Sequence, residues 1–237
     1  EINDRLRQCA HLELETLILD NCSKLTETGL ESVGQITSLT KLSLHRCNKL
    51  AGPTCFTNLA NLHRLIYLDI GLVNRLSDDT FGFVSQLTNL QHLEISRCKS
   101  LTSVGMKHLE NIVSLRTLDL TSCIEVGAIP PDQFRMNPSP PNFLRNLTNL
   151  ASIRLARCSK VNDAVIHQLS HLEQLTALDI RSTRITDESM QSILLLTNLQ
   201  SLDMKRCVQV GNAGIGRLRT LTNLTSLNLA KCASLNH

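Results

Sequence analysis

One apolar signature, L-x-x-L-x-L-x-x-C-x-x-L, returns from one end of the chain to the other, and residues 90–101 carry it with Ile95 at the third leucine position. Its first leucine recurs as Leu14, Leu39, Leu65, Leu90, Leu115, Leu150, Leu175, Leu199 and Leu224, in steps of 25, 26, 25, 25, 35, 25, 24 and 25 residues. Repeats of about 20 to 50 residues are single supersecondary units that bury their apolar faces only by stacking on neighbours. Residues 1–237 therefore read as one domain of about nine repeats, a solenoid with no second core.

Each unit divides in two. In the first, Leu14, Leu17 and Leu19 end on the period of two expected of a strand, and Leu30, Val33 and Ile36 follow at the period of three to four expected of a helix. Thr26, Ser77, Thr102, Asn162 and Thr186 recur where a helix N-cap belongs, next to Glu27, Asp78, Asp163 and Asp187, whose charge suits a helix start. Ile2, Leu6, Cys9 and Leu12 have helical spacing ahead of the first strand, as a cap or as half of a further repeat. Strands stacked in parallel sit about 4.8 Å apart whereas helices need about 8 to 10 Å, so the array must arc with its sheet on the concave side and its helices outside.

Nine cysteines raise the question of disulfides or zinc, and their spacing answers it. Cys22, Cys47, Cys98, Cys123, Cys158, Cys207 and Cys232 fill one slot of successive units, Val73 and Thr183 fill it elsewhere, and no C-x-x-C pair exists. A slot shared by Cys, Val and Thr is a packing position. Unbridged thiols imply a reducing compartment, the cytoplasm first, with the nucleus or cytoskeleton as related settings. The glycosylation-like triplets at Asn21, Asn146 and Asn223 then read as accidents of the repeat.

The pattern L-x-x-L-x-L-x-x-C-x-x-L-T-x-x-G-L, present in residues 14–30 and nearly so in residues 90–106, resembles the cysteine-containing leucine-rich repeat. That resemblance covers essentially the whole chain and implies an α/β leucine-rich-repeat solenoid, a right-handed horseshoe with a parallel concave sheet and convex helices. The subtype is similar to the repeat domain of F-box/leucine-rich-repeat proteins, the substrate receptors of cullin-RING ubiquitin ligases. It implies substrate recognition, with a cullin-RING adaptor bound through a segment outside this chain. Similar arrays occur in flagellar scaffolds, signalling regulators and effectors, which keeps a structural or signalling scaffold open as the alternative.

The period breaks twice. Around Gly52 and Pro53 one residue is added, so that Cys55 or Phe56 fills the slot of Leu30. The larger break adds about ten residues at 127–142, a segment holding five of the six prolines, which exclude a regular helix there. It must leave the array at one rim, either as a tolerated insertion or as a docking loop with Phe134 and Met136 as apolar anchors.

Alternation along each strand turns the residues between the leucines into the hollow of the arc. One such row reads Ile18, Ser43, Asp69, Glu94, Asp119, Arg154, Asp179, Asp203 and Asn228, and is mainly acidic. The row just before the cysteine slot reads Asn21, Arg46, Leu72, Arg97, Ser122, Arg157, Ser182, Arg206 and Lys231, and is mainly basic. Two carboxylates about 5 Å apart repel by about 1 kcal/mol in water and by about 3 to 4 at an intermediate dielectric, so Asp69, Glu94 and Asp119 invite compensation. Either the basic row neutralises the acidic one, or the stripes select a partner of complementary charge. Tyr67, the only tyrosine, with His45, His92 and Leu72, supplies the remaining contacts of that face.

An enzyme would need a nucleophile with its base, a metal cluster or a phosphate loop, and no such motif occurs. His167 and His171 lie four apart without a third ligand, and Asp69 with Glu94 would sit on an open sheet lacking a water-excluding pocket. The chain is therefore expected not to be an enzyme and to need no cofactor. Aromatics are 3% of residues and the net charge is +3 without a basic run, which argues against nucleic acid, and no apolar stretch is long enough for membrane insertion. Other proteins, met on the concave face and the rim insert, are the expected partners.

Overall fold

The computed structural model describes residues 2–52, 54–129 and 140–232. Nine strands of three residues form one open parallel sheet in chain order: β1 Thr16–Ile18, β2 Lys41–Ser43, β3 Tyr67–Asp69, β4 His92–Glu94, β5 Thr117–Asp119, β6 Ser152–Arg154, β7 Ala177–Asp179, β8 Ser201–Asp203 and β9 Ser226–Asn228. Register never slips. Leu17, Leu42, Leu68, Leu93, Leu118, Ile153, Leu178, Leu202 and Leu227 stand side by side, and from β2 to β8 they are at most 2% exposed. The flanking residues of each strand face the other way, into the hollow.

Opposite the sheet lie α1 Ile2–Cys9, α2 Glu27–Val33, α3 Ser103–Met106, α4 Asp163–His167, α5 Ser189–Ile193 and α6 Asn212–Arg217. The expectation of one α-helix per unit needs correction. Units two and three carry 3₁₀ turns instead, Thr57–Asn61 and Phe81–Gln86, and α3 and α6 run on into the 3₁₀ turns Lys107–Leu109 and Leu218–Thr220. The buried positions step by three in these units, Phe56, Leu59, Leu62 and Leu65 in unit two and Phe81, Val84, Leu87 and Leu90 in unit three, a spacing that the α-helical units share and that does not by itself choose between the two helix types. Three residues per turn is the 3₁₀ repeat. The same spacing recurs in Leu30, Val33, Ile36 and Leu39 of the first unit, which is α-helical. Phe56, Phe81 and Phe83 fill the convex layer between units two and three, with ring centroids 5.7 Å apart for Phe56 and Phe83 and 6.1 Å for Phe81 and Phe83.

Three kinds of side-chain hydrogen bond recur at the junctions between units. In the cysteine slot, thiols donate to the backbone carbonyl of the preceding unit: Cys47 to Leu19 at 3.0 Å, Cys98 to Ile70 at 3.5 Å, Cys123 to Ile95 at 3.0 Å, Cys158 to Leu120 at 3.0 Å, Cys207 to Ile180 at 3.2 Å and Cys232 to Met204 at 3.2 Å. Val73 packs in that slot without donating, and Thr183 donates within its own unit to the Ile180 carbonyl at 2.6 Å. Burial pushes these thiols up, Cys47 to about 11 and Cys123 to about 12, which leaves them protonated and unreactive. Cys22 departs from the expected hidden row, being only partly buried.

A second ladder precedes each strand, where Asn89, Asn149, Asn198 and Asn223 donate from their amides to carbonyls of His63, Val113, Glu173 and Thr197 in the preceding unit, at 2.8 to 2.9 Å. The third explains the T-x-x-G spacing. Asp78 accepts from both the amide and the hydroxyl of Thr102, at 2.8 and 2.6 Å, and Asp163 does the same for Thr186 at 2.8 and 2.9 Å. Asp187 accepts from the Gly211 amide at 2.7 Å, and Asn3 of α1 bonds Thr26. Those carboxylate or amide oxygens occupy the space a Cβ would need at Gly105, Gly214 and Gly29. Where the slot holds Ser189 instead, its hydroxyl bonds Asp163. Asp78, Asp163 and Asp187 thus do more than complement helix starts, since they splice consecutive units. Thr102 and Asn162 also cap their own helices as expected, whereas Thr26 makes no side-chain cap bond and Ser77 pairs with Thr80.

Candidate recognition surface

Along the concave face the acidic row has a structural task. Asp69, Asp119, Asp179 and Asp203 each accept the backbone N–H two residues on, at Gly71, Thr121, Arg181 and Lys205, at 2.8, 2.8, 3.2 and 3.0 Å. Asn228 does the same for Ala230 at 3.1 Å. This turn, closed by a short side chain, ends these five strands and selects Asp or Asn over Glu. Glu94 is too long for it and instead accepts the Tyr67 hydroxyl at 3.0 Å.

The basic row occupies a different place from the one expected. Asn21, Arg46, Leu72, Arg97, Ser122, Arg157, Ser182, Arg206 and Lys231 all adopt the left-handed conformation, with φ between 56° and 63°. At this turn the left-handed residue's own N–H donates to the following unit, as Arg46 to the Gly71 carbonyl at 2.9 Å and Arg157 to the Arg181 carbonyl at 2.7 Å. The turn also carries these side chains to the rim. Among the described residues Arg46, Arg97, Arg157 and Arg206 form no ion pair with the acidic row, so the proposed neutralisation between the two rows is not how the charge is balanced.

Compensation comes from inside the hollow. Arg154 reaches Asp119 at 3.3 Å, and the His45 ring lies within hydrogen-bond distance of Asp69, at 3.3 Å, without counting as a fixed charge. Arg181 grips Asp179 through Nε and Nη2 at 2.8 and 2.6 Å, and lies 3.6 Å from Asp203. Those two carboxylates raise the guanidinium's affinity for its proton further. Arg181 and Lys205 escaped the sequence reading although the same alternation, carried two residues past Asp179 and Asp203, reaches both.

Nearer the first strands the surface is of another kind. Lys41 sits 4.7 Å from the centre of the Tyr67 ring, whose far side faces His92 at 6.4 Å between centroids, and His92 Nδ1 lies 2.9 Å from the Thr117 hydroxyl. Burial, followed by the charge of Glu94, holds the Tyr67 phenol well above its ordinary range. The structure therefore brings Tyr67, Asp69, His92, Glu94, Asp119, Arg154, Asp179 and Asp203 together on one sheet face and sets Arg46, Arg97, Arg157 and Arg206 along its edge. Phe134 and Met136 lie outside the described residues.

Among the described residues the face has open hollows. One of about 430 Å³ is lined by Asp119, Arg154, Asp179, Arg181 and Asp203, and a neighbour of about 390 Å³ by Arg157, Arg181, Lys205 and Arg206. His167 and His171 face separate partners, the Ser192 hydroxyl and the Arg145 carbonyl, at 3.3 and 3.0 Å. No group of three or more metal-ligating side chains is gathered among the described residues, and no helix there is long and apolar enough to cross a membrane.

Residues 86–109 and 171–194 match the family profile described as Leucine Rich repeat. Those two segments match the leucine-rich repeat, and the other units share their fold. A curated relative, the "Putative adenylate cyclase regulatory protein" of Trypanosoma equiperdum, is 27% identical over 181 residues, or 73% of this chain. The chain spans only 24% of that relative's length. Among solved structures, the yeast Rad7 and Elc1 complex superposes at a TM-score of 0.54 with 21% identity, over 99% of this chain and 68% of the other. The TLR13–ssRNA13 complex superposes at 0.59 with 20% identity, over 87% of this chain and 27% of the other. At these identities the likeness is one of fold, and the fold is the leucine-rich-repeat horseshoe. Such arrays are protein-interaction modules in general, with the inner face of the arc as the extended contact surface.

Proposed function

We propose that the chain recognises another protein on its concave face and serves as the substrate-recognition part of an F-box-type ubiquitin ligase in the cytoplasm. The observation that carries recognition is the fixed pattern of charge inside the hollow, where Arg154 and Arg181 are held by Asp119, Asp179 and Asp203 in an open surface. Side chains already immobilised lose little entropy on binding, so they favour specificity. The ligase reading is supported by the cysteine-containing repeat pattern and by the fold shared with a structure of Rad7 in complex with Elc1. A second reading, a signalling regulator, is favoured by the name of the Trypanosoma equiperdum relative.

Affinity capture from the native source, with the full-length protein that contains this chain and with its Asp119→Arg/Arg154→Glu variant, tests this. Recovery of a cullin and its adaptor together with a substrate lost in the variant is the expected result. Recovery of an adenylate cyclase without a cullin selects the second reading, and an identical protein set from parent and variant rejects the concave face as the contact surface.

A further inference from the structure

The hollow at the strand-end rim of units six to eight is lined by four cations, Arg157, Arg181, Lys205 and Arg206, and by no acid. The hydroxyls of Thr121 and Ser182 line it as well, and Ala156 occupies the slot in which other units place His45 or Arg181, leaving room. Arg157 and Arg206 are exposed, and among the described residues neither they nor Lys205 form an ion pair. Arg181 is held from behind by Asp179 and Asp203, so one cation is fixed in position before anything binds. The left-handed turn sets the chain direction at Arg157 and Arg206 in the same way, with φ of 60° and 62°.

Arg157, Lys205 and Arg206, gathered without a paired carboxylate beside the already paired Arg181, repel one another, and an anion with several acceptor atoms relieves them best. A carboxylate offers one charge, whereas a phosphoryl group brings about 1.5 to 2 charges and three strong acceptor oxygens. The neighbouring hollow decides which kind of phosphate fits. It shares Thr121 and Arg181 with this one but carries Asp119, Asp179 and Asp203, so a chain of phosphates running into it would meet carboxylates. A peptide does not have that difficulty, since a basic side chain two or three residues from the phosphate would lie over those acids. We infer that the rim hollow at Arg157, Arg181, Lys205 and Arg206 seats a phosphoserine or phosphothreonine of the recognised protein. This rests on the recognition reading above and specifies its chemistry.

The test uses the whole chain and a fluorescent degenerate peptide pool fixed only at a central phosphoserine, with the same pool carrying serine as reference. The phosphorylated pool should be retained about ten-fold better, and an Arg157→Glu/Arg206→Glu variant should lose that preference while an Arg97→Glu variant, altered at the same turn in unit four, should keep it. Both changes are at exposed positions, and circular dichroism confirms folding. Equal retention of the two pools, or an undiminished preference in the double variant, overturns the inference. So does a single-stranded oligonucleotide that binds more tightly than the phosphorylated pool and loses binding in the same variant. Captured partners that survive phosphatase treatment but are lost with Asp119→Arg/Arg154→Glu would sink the phosphate and leave recognition standing.

Discussion

Units one to five and units six to nine share a register, a left-handed turn and the same splicing hydrogen bonds, yet their concave surfaces differ. The first half presents Lys41, Tyr67, His92 and Glu94, joined by a ring contact and a phenol–carboxylate bond. The second half presents paired permanent charge, with Arg154 reaching back to Asp119 of unit five and Arg181 bracketed by Asp179 and Asp203. Short side chains at fixed slots hold the array together, and the scaffold leaves the slots around them free to vary. Splicing should therefore be equally vulnerable in both halves, whereas surface substitutions should behave differently in each.

The largest effect is expected at the splice. Gly105→Ala drives a methyl group into the Asp78 carboxylate that holds Thr102, and should lower stability by about 2 to 3 kcal/mol. Gly105→Ser should recover much of the loss, because unit seven places Ser189 in this slot and bonds it to the corresponding Asp163. A double-mutant cycle with Asp78→Ala should show strong coupling. Unit six already carries Val165 there, and the unit before it offers no Asp at the matching place, so the glycine rule follows from the preceding unit. Equal melting midpoints for Gly105→Ala and the parent chain would break the claim that one splice serves both halves.

Next come the surface groups. Arg181→Ala removes the only bridge between Asp179 and Asp203 among the described residues and should cost about 1 to 2 kcal/mol at low salt, less at high salt because the guanidinium is 43% exposed. Tyr67→Phe in the other half loses one half-buried hydrogen bond, about 1 kcal/mol, with little salt dependence. Denaturant titrations of the two variants at low and high salt separate them, and matching salt slopes would erase the distinction between the halves.

Alkaline pH sharpens the same contrast. The buried thiols and Tyr67 have native values raised above their ordinary 9.0 and 10.0, with Cys47 and Cys55 at about 11 and Cys123 at about 12. A group raised in the folded state contributes its full stability below its unfolded value and loses it as pH climbs towards the native one. Melting midpoints should therefore hold up to about pH 9 on this account and fall above it. Tyr67→Phe should make the decline beyond pH 10 shallower, since only the first half loses a phenol. Thiol labelling under native conditions should reach Cys9 and Cys22 and spare the seven buried cysteines, Cys98 and Cys123 included, until the chain unfolds.

Period and alternation made the strands, their register, the buried leucines and the acidic row legible, because each is a regular count along the chain. Other features resisted for identifiable reasons. A step of three from Phe56 to Leu65 suits an α-helix loosely and a 3₁₀ turn closely, and only packing against the flanking units settles which forms. Asp119 resembles a free surface charge until its Oδ1 is seen on the Thr121 amide, although the preference for Asp over Glu in that row was the available sign. Arg97 and its counterparts were harder, since nothing in an arginine announces a left-handed backbone. The charges were readable, but the turn that separates them from the acids was not.

That turn supplies the smallest effect and the most direct check of why the rim is basic. A left-handed conformation disfavours any residue with a Cβ, while asparagine tolerates it through local hydrogen bonding. Arg97 holds φ 61° and is exposed, with its backbone N–H bonded to the Thr121 carbonyl at 2.8 Å. Arg97→Asn keeps that bond and should raise stability by about 0.5 kcal/mol. The same change at Arg157 should give the same gain from the backbone, since φ is 60° there, and an added one from relieving cation repulsion in the rim hollow. A larger increase in melting midpoint at Arg157 than at Arg97, shrinking as salt is added, would mean that arginine persists at this strained position in the second half for the charge it displays; equal gains at both would assign the whole effect to the turn.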